Sequence, residues 1–181
     1  MKIERIRPEE IERRSFEIIT DLLGEQQPPD ETAHIVKRVI HTTADLEYAE
    51  TLYFSENAAQ ILSQALAEGA HIVTDTQMAL SGINKKTLAA FGGQVHCFMA
   101  DEDVARQARE RGVTRACVSM EKAATLSVPL IFAIGNAPTA LIQLYEMIQE
   151  GRIRPELIIG VPVGFVNVVQ AKELIMTAGV P

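Results

Sequence analysis

Four polar side chains, His34, Lys37, Arg38 and His41, fall at i, i+3, i+4 and i+7. That spacing lines them along one side of an α-helix. A guanidinium grips a carboxylate through two parallel N–H donors, so Arg38 suits a ligand rich in acid groups. Lys37 adds positive charge beside it. An imidazole titrates near neutrality, so His41, near the end of the segment, can give a proton and take it back. The same pattern describes the solvated face of an ordinary surface helix, and spacing alone favours that plainer reading.

Ser15 interrupts an apolar stripe, four residues from both Ile11 and Ile19. A serine there ordinarily bonds to the carbonyl one turn back; the alternative is a hydroxyl facing a cavity. Asp75 follows a strand-like segment and precedes Thr76, a helix-cap residue, so capping or a turn is its default role and ligand contact the minority one. His71 and His96 sit in strand-like segments and read as core histidines. His96 and Cys97, being neighbours on a strand, point to opposite faces and cannot act as a base and nucleophile pair.

The run Ile134-Gly135-Asn136-Ala137-Pro138-Thr139-Ala140-Leu141 carries a different kind of chemistry. Gly135 permits a tight turn at a strand end, and Pro138 suits the first turn of a helix, where its missing N–H costs nothing. Amides left free at such a helix start, from Gly135 through Asn136, Ala137 and Thr139, form a site for an anion. The pattern returns where Leu157-Ile158-Ile159 runs into Gly160-Val161-Pro162-Val163-Gly164-Phe165. Two glycine-marked loops at the ends of two parallel strands outline one crevice.

These residues need elements to position them. Helices are predicted over 8–23, 30–43 and 56–68, the first two broken by Gln26-Gln27-Pro28-Pro29, with Asp30 or Thr32 as cap of the second. From there strand and helix alternate: strand 71–74, short helices 76–80 and 84–91, strand 94–99, helices 101–111 and 114–127, strand 129–134, helix 138–150, strand 157–161, helix 166–178. Such alternation predicts an α/β fold, a Rossmann-like three-layer arrangement with a mostly parallel sheet and helices on both faces, the N-terminal helices packing at the site. Ligands in such sheets sit outside the carboxyl ends of the strands. The chain shows no internal repeat, and 181 residues are expected to form a single domain.

Composition narrows the partners. A net charge of −7 and the lack of a sustained basic stripe argue against nucleic acid. Forty-seven per cent hydrophobic residues fit a packed globular protein. The only cysteines are Cys97 and Cys117, with no CxxC and no histidine cluster, which suits a reducing cytoplasm and gives no metal signature. No run reaches the roughly 18 apolar residues of a membrane helix, and the charged start of the chain is unlike a signal peptide. HExxH, GxSxG, Walker and GxGxxG motifs are absent, against metalloprotease, hydrolase and dinucleotide-binding readings.

Taken in order, Glu12-Arg13-Arg14-Ser15-Phe16-Glu17-Ile18-Ile19, Arg38-Val39-Ile40-His41-Thr42-Thr43-Ala44-Asp45, Thr74-Asp75-Thr76-Gln77-Met78, Gly135-Asn136-Ala137-Pro138-Thr139-Ala140-Leu141 and Gly160-Val161-Pro162-Val163-Gly164-Phe165-Val166 resemble the precorrin-8X methylmutase family. The resemblance runs from about Ile6 to the end of the chain. It implies an isomerase of cobalamin biosynthesis that moves a methyl group between neighbouring ring carbons of precorrin-8, giving hydrogenobyrinate, or of its cobalt-containing counterpart, giving cobyrinate. It implies His41 as proton donor and acceptor and Ser15 and Arg38 as substrate contacts, with no cofactor and no metal ligated by the protein. Asp75 and the loop residues Gly135, Asn136, Ala137, Thr139 and Gly164 are expected beside the substrate's acid arms.

The resemblance further implies a homodimer acting on an anionic tetrapyrrole. Members of the family usually continue past the region matching Ala178-Gly179-Val180-Pro181 into a glycine-rich stretch and a final helix, whereas this chain stops at Pro181. A Rossmann-like nucleotide or S-adenosylmethionine binder is the first rival, and it lacks its glycine-rich first loop. A non-catalytic tetrapyrrole carrier on the same scaffold is the second, and retention of His41 speaks against it.

Overall fold

The computed structural model describes residues 6–181, which divide into two compact units between Ala59 and Gln60. In the first unit, a 3₁₀ turn (Pro8–Glu10) leads into α1 (Ile11–Leu23), followed by α2 (Asp30–Thr43) and the one-turn α3 (Tyr48–Thr51). Pro29 occupies the cap position of α2, so neither Asp30 nor Thr32 caps it. Asp30 and Glu31 instead place negative charge in the first turn, where the helix dipole favours it.

A small core of Ile19, Leu23, Val36 and Ile40, with Phe16, Tyr48, Leu52 and Phe54 around it, joins α1 to α2. The expected apolar stripe of α1 splits in two. Ile19 and Leu23 are buried, whereas Ile11, Ile18 and Leu22 stay exposed on the face that also carries Ser15. Positions 11, 15, 18 and 22 share one side of a helix, and 16, 19 and 23 share the next, so two faces rather than one are apolar.

In the second unit, α4 (Ala58–Ala67), which begins at the boundary, precedes β1 (His71–Thr74), α5 (Gln77–Gly82), α6 (Lys85–Ala90), β2 (Val95–His96), α7 (Glu102–Arg111) and α8 (Arg115–Ala123). Then come β3 (Leu130–Ile134), α9 (Pro138–Gln149), β4 (Leu157–Gly160) and α10 (Val168–Met176). The strands form one parallel sheet in the order β2-β1-β3-β4. The expected strand 94–99 shrinks to two residues, and α10 starts two residues later than predicted.

Leu130, Phe132 and Ile134 of β3 pack with Val73 against Ala116 and Met120 of α8, Leu141 and Leu144 of α9, and Ala171 and Ile175 of α10. Alternation turns Ile131 to the opposite face, where it too is wholly buried, so β3 is covered on both sides. The path leaves β1 toward β2 and returns past it to β3 and β4. Right-handed crossovers therefore put α5 and α6 on the face opposite α8 and α9. The reversal falls between β1 and β3, whose carboxyl ends carry Asp75 and Gly135. Among the described residues no helix is long and apolar enough to cross a membrane.

Candidate functional site

In the first unit, the contact between α1 and α2 assembles four side chains. Arg38, on the carboxyl half of α2, forks onto the Glu12 carboxylate of α1, with Nη2 to Oε1 at 2.6 Å and Nη1 to Oε2 at 3.4 Å. Phe16, one turn beyond Glu12, lies under the guanidinium, 5.5 Å from Cζ to ring centroid. His41, one turn beyond Arg38, meets the same phenyl ring edge-on at 6.1 Å between centroids. Phe16 is thus a common floor for the cation and the imidazole. Arg38 holds the Glu12 carboxyl below its ordinary range, chiefly through the hydrogen bond, and the charge of His41 adds to this.

The predicted polar stripe separates on folding. His34 stays exposed, while Lys37 turns into the helix contact and donates to Thr20 Oγ1 at 2.9 Å. Arg38 and His41 also stay exposed, one turn apart. Ser15 is half-buried and its hydroxyl donates to the Ile11 carbonyl at 2.9 Å, the back-bond that local chemistry predicts, leaving its own oxygen able to accept. A cleft of about 420 Å³, lined by Pro28, Val36, Leu52, Tyr53 and Phe54, opens at the amino end of α2. None of Ser15, Arg38 or His41 lines it. With α2 running about 21 Å, the cleft and His41 belong to opposite ends of that helix.

In the second unit, Asp75 organises the loop between β3 and α9. Its carboxylate is wholly buried and accepts the amide N–H groups of Gly135 (3.0 Å), Asn136 (2.8 Å) and Ala137 (2.6 Å). This differs from the expectation on two counts. Asp75 caps no helix and touches no open space; Thr76, next to it, caps α5 by accepting from Ala79. Three of the four amides offered by sequence reasoning to an external anion already hold an internal one, because a buried carboxylate must have its lone pairs satisfied. Nor does Gly135 need its freedom, since its φ is not positive and open space surrounds the position of a Cβ.

Thr139, in the first turn of α9, shares a hydrogen bond of 2.9 Å with Thr114, whose hydroxyl also caps α8 by accepting from Cys117. Gly164 adopts φ +126°, a conformation that L side chains rarely adopt, so the glycine in this loop is required by the backbone. Three residues on, Asn167 is left-handed at the start of α10.

A family model described as precorrin-8X methylmutase matches residues 10–181. The chain belongs to that family. It is 42% identical over 176 residues to the cobalt-precorrin-8 methylmutase of Priestia megaterium, covering 97% of this chain and 78% of the relative. It is likewise 42% identical to the cobalt-precorrin-8 methylmutase of Salmonella typhimurium, covering 96% of this chain and 84% of the relative. The solved precorrin-8x methyl mutase of Thermus thermophilus superposes with a TM-score of 0.85 at 38% identity, covering 96% of this chain and 84% of that one.

Two residues of the cluster between α1 and α2 escape sequence reasoning, Glu12 and Phe16. Both lie within the run that carries the resemblance, and both flank Ser15 on α1. A signal was available: a six-residue connection brings two helices into contact, so an acid in the first turn of one can meet a cation of the other. Which acid meets which cation depends on helix crossing, which no single sequence pattern encodes.

Proposed function

We propose that the chain converts cobalt-precorrin-8 to cobyrinate by moving a methyl group between adjacent ring carbons, with His41 giving and recovering the proton. Family membership makes the chain a methylmutase, an isomerase of cobalamin biosynthesis. The preference for the cobalt-containing substrate rests on the names of the two 42%-identical relatives. The observation that carries the reading is the pairing of Arg38 with His41 on one exposed face of α2, over the Phe16 ring.

An isomerisation within a conjugated ring consumes no redox equivalent and no external methyl donor. Protonating a ring nitrogen draws electron density from the π-system, which lowers the barrier to migration and favours the product tautomer. An imidazole is the side chain suited to supply a proton and accept it again near neutral pH, a contribution of roughly 10²- to 10⁴-fold. Orientation of the flat macrocycle by its acid arms supplies much of the remainder. Arg38 is the first partner for those arms, and Ser15, with an accepting oxygen, the second. Asn136, Thr139 and Gly164 belong to the same reading as arm contacts, while Asp75 serves by fixing the loop that carries two of them.

The working form in this reading is a homodimer in the reducing cytoplasm. The free thiols of Cys97 and Cys117 suit that compartment. Association is supported by the loop before α10, where Val163, Phe165 and Val166 are 66%, 105% and 78% exposed.

Absorbance of the purified chain with cobalt-precorrin-8, beside His41→Ala, tests the reaction. The parent is expected to produce the cobyrinate spectrum, and the variant to keep its circular dichroism and product binding while losing about 10²-fold or more in turnover. Wild-type turnover by the variant excludes His41 as the acid, and binding without conversion by the parent favours the carrier.

A further inference from the structure

We propose that Glu12 is a place-holding carboxylate, which occupies Arg38 in the free protein and yields it to an acid arm of the substrate. The inference rests on the reading of Arg38 as a substrate contact. It goes beyond it by assigning a competing role to a residue outside the proton-transfer chemistry.

The geometry is that of a bound carboxylic acid. Both Glu12 oxygens meet both terminal nitrogens of the guanidinium, at 2.6 and 3.4 Å, the fork by which arginine grips any carboxylate. The Phe16 ring lies beneath the guanidinium, 5.5 Å from Cζ to centroid, so an incoming arm finds the cation supported and already paired. The pair joins two helices across 26 residues of sequence, so it is a contact between elements rather than the incidental pairing of one helix's turns.

Both partners are exposed, Arg38 at 59% and Glu12 at 56% of their side chains. An ion pair so placed is weak, because water solvates the separated charges nearly as well as they solvate one another. Exchange of one carboxylate for another at such a site is therefore close to neutral. The consequence is specific. Arg38 adds less affinity than an unpaired arginine would, and it selects the arm that can enter from the Glu12 side. A multiply acidic ligand also meets Glu12's own charge, and displacement of Glu12 from the fork removes that repulsion from the point of contact.

A double-mutant cycle on substrate kinetics reads this directly. Glu12→Gln keeps size and the capacity for one hydrogen bond but withdraws the competing charge. The expected result is a KM about two- to fivefold lower, the range that an exposed ion pair represents. A gain of ground-state binding raises kcat/KM by that factor without raising kcat. Arg38→Ala raises KM chiefly when Glu12 is already Gln, and in the Arg38→Ala background Glu12→Gln loses its gain, because nothing remains to compete for.

An unchanged or higher KM in Glu12→Gln overturns the proposal and makes Glu12 a strut that orients Arg38. An equal fall in KM with and without Arg38 also overturns it, in favour of general repulsion between the ligand and an acidic surface. Failure of the underlying reading is seen separately, as an Arg38→Ala substitution that leaves KM unchanged in the Glu12→Gln background, or a parent chain that neither converts nor binds the macrocycle.

Discussion

A carboxylate cut off from water must find donors in the protein, and Asp75 finds three in consecutive amides of one loop. Removing it leaves those part-buried N–H groups without their acceptor at the start of α9, at a cost of up to about 1–3 kcal/mol for each. Asp75→Ala should therefore unfold at a clearly lower temperature than the parent. The vacated space would be an anion cradle at a helix start, so a small carboxylate should re-enter it. Sodium formate is expected to raise the midpoint of Asp75→Ala more than sodium chloride of equal ionic strength, and to leave the parent almost unmoved. Equal responses to the two salts would show that the loop finds other partners. The sequence marks Asp75 as an acid at a strand end, yet its partners lie 60 to 62 residues on. Local patterns name the acceptor and the donors separately; only the adjacency of β1 and β3 joins them.

Burial separates the helices into those that build the core and those whose outer faces are left to solvent. Leu144 of α9 is wholly buried against the sheet, whereas Leu22 of α1 is 63% exposed. Leu144→Ala should cost about 2–5 kcal/mol through lost transfer energy and the cavity left behind. Leu22→Ala should stay within about 0.5 kcal/mol, as surface substitutions do. Denaturant midpoints of the two variants check the contrast, and a large loss at Leu22 would mean that its face of α1 is covered in solution. The same distinction explains how much of the fold was legible. The strand His71–Thr74 was readable because β-branched residues end sharply at turn-formers, and α9 because Pro138 marks its start. The short β2 was overestimated, since apolar alternation continues through Phe98 after pairing with β1 has ceased. The single turn α3 lacks any cap or periodicity, and Tyr48, Ala49 and Leu52 reveal its purpose only by packing on α2. On α1, four apolar residues suggest one stripe, and only the partner helix decides that two faces are present.

Stability of the molecule as a whole should respond to pH through a pair of histidines at the edge of the sheet. His71 Nδ1 and His96 Nε2 lie 2.9 Å apart, so one nitrogen must be an unprotonated acceptor. The rings stack at 5.1 Å between centroids, and His96 also lies 5.8 Å from the Phe98 ring. Burial lowers the pKa of His96, and the charge of His71 lowers it further. A histidine whose pKa is depressed by folding binds fewer protons in the native state than in the unfolded chain. Its contribution is whole above the unfolded value near 6.5 and is lost as pH falls from there toward the lower native value. The acids held low in the native state, Glu12, Asp103 and Glu121, act in a different window, since their contributions begin to fade only near their unfolded values of about 4. Between pH 7.5 and 5 His96 should therefore set the slope. The thermal midpoint of the parent should fall across this interval, while that of His96→Gln, which cannot take up the proton, should fall less. Parallel curves for the two proteins would remove His96 from the account and place the sensitivity elsewhere in the fold.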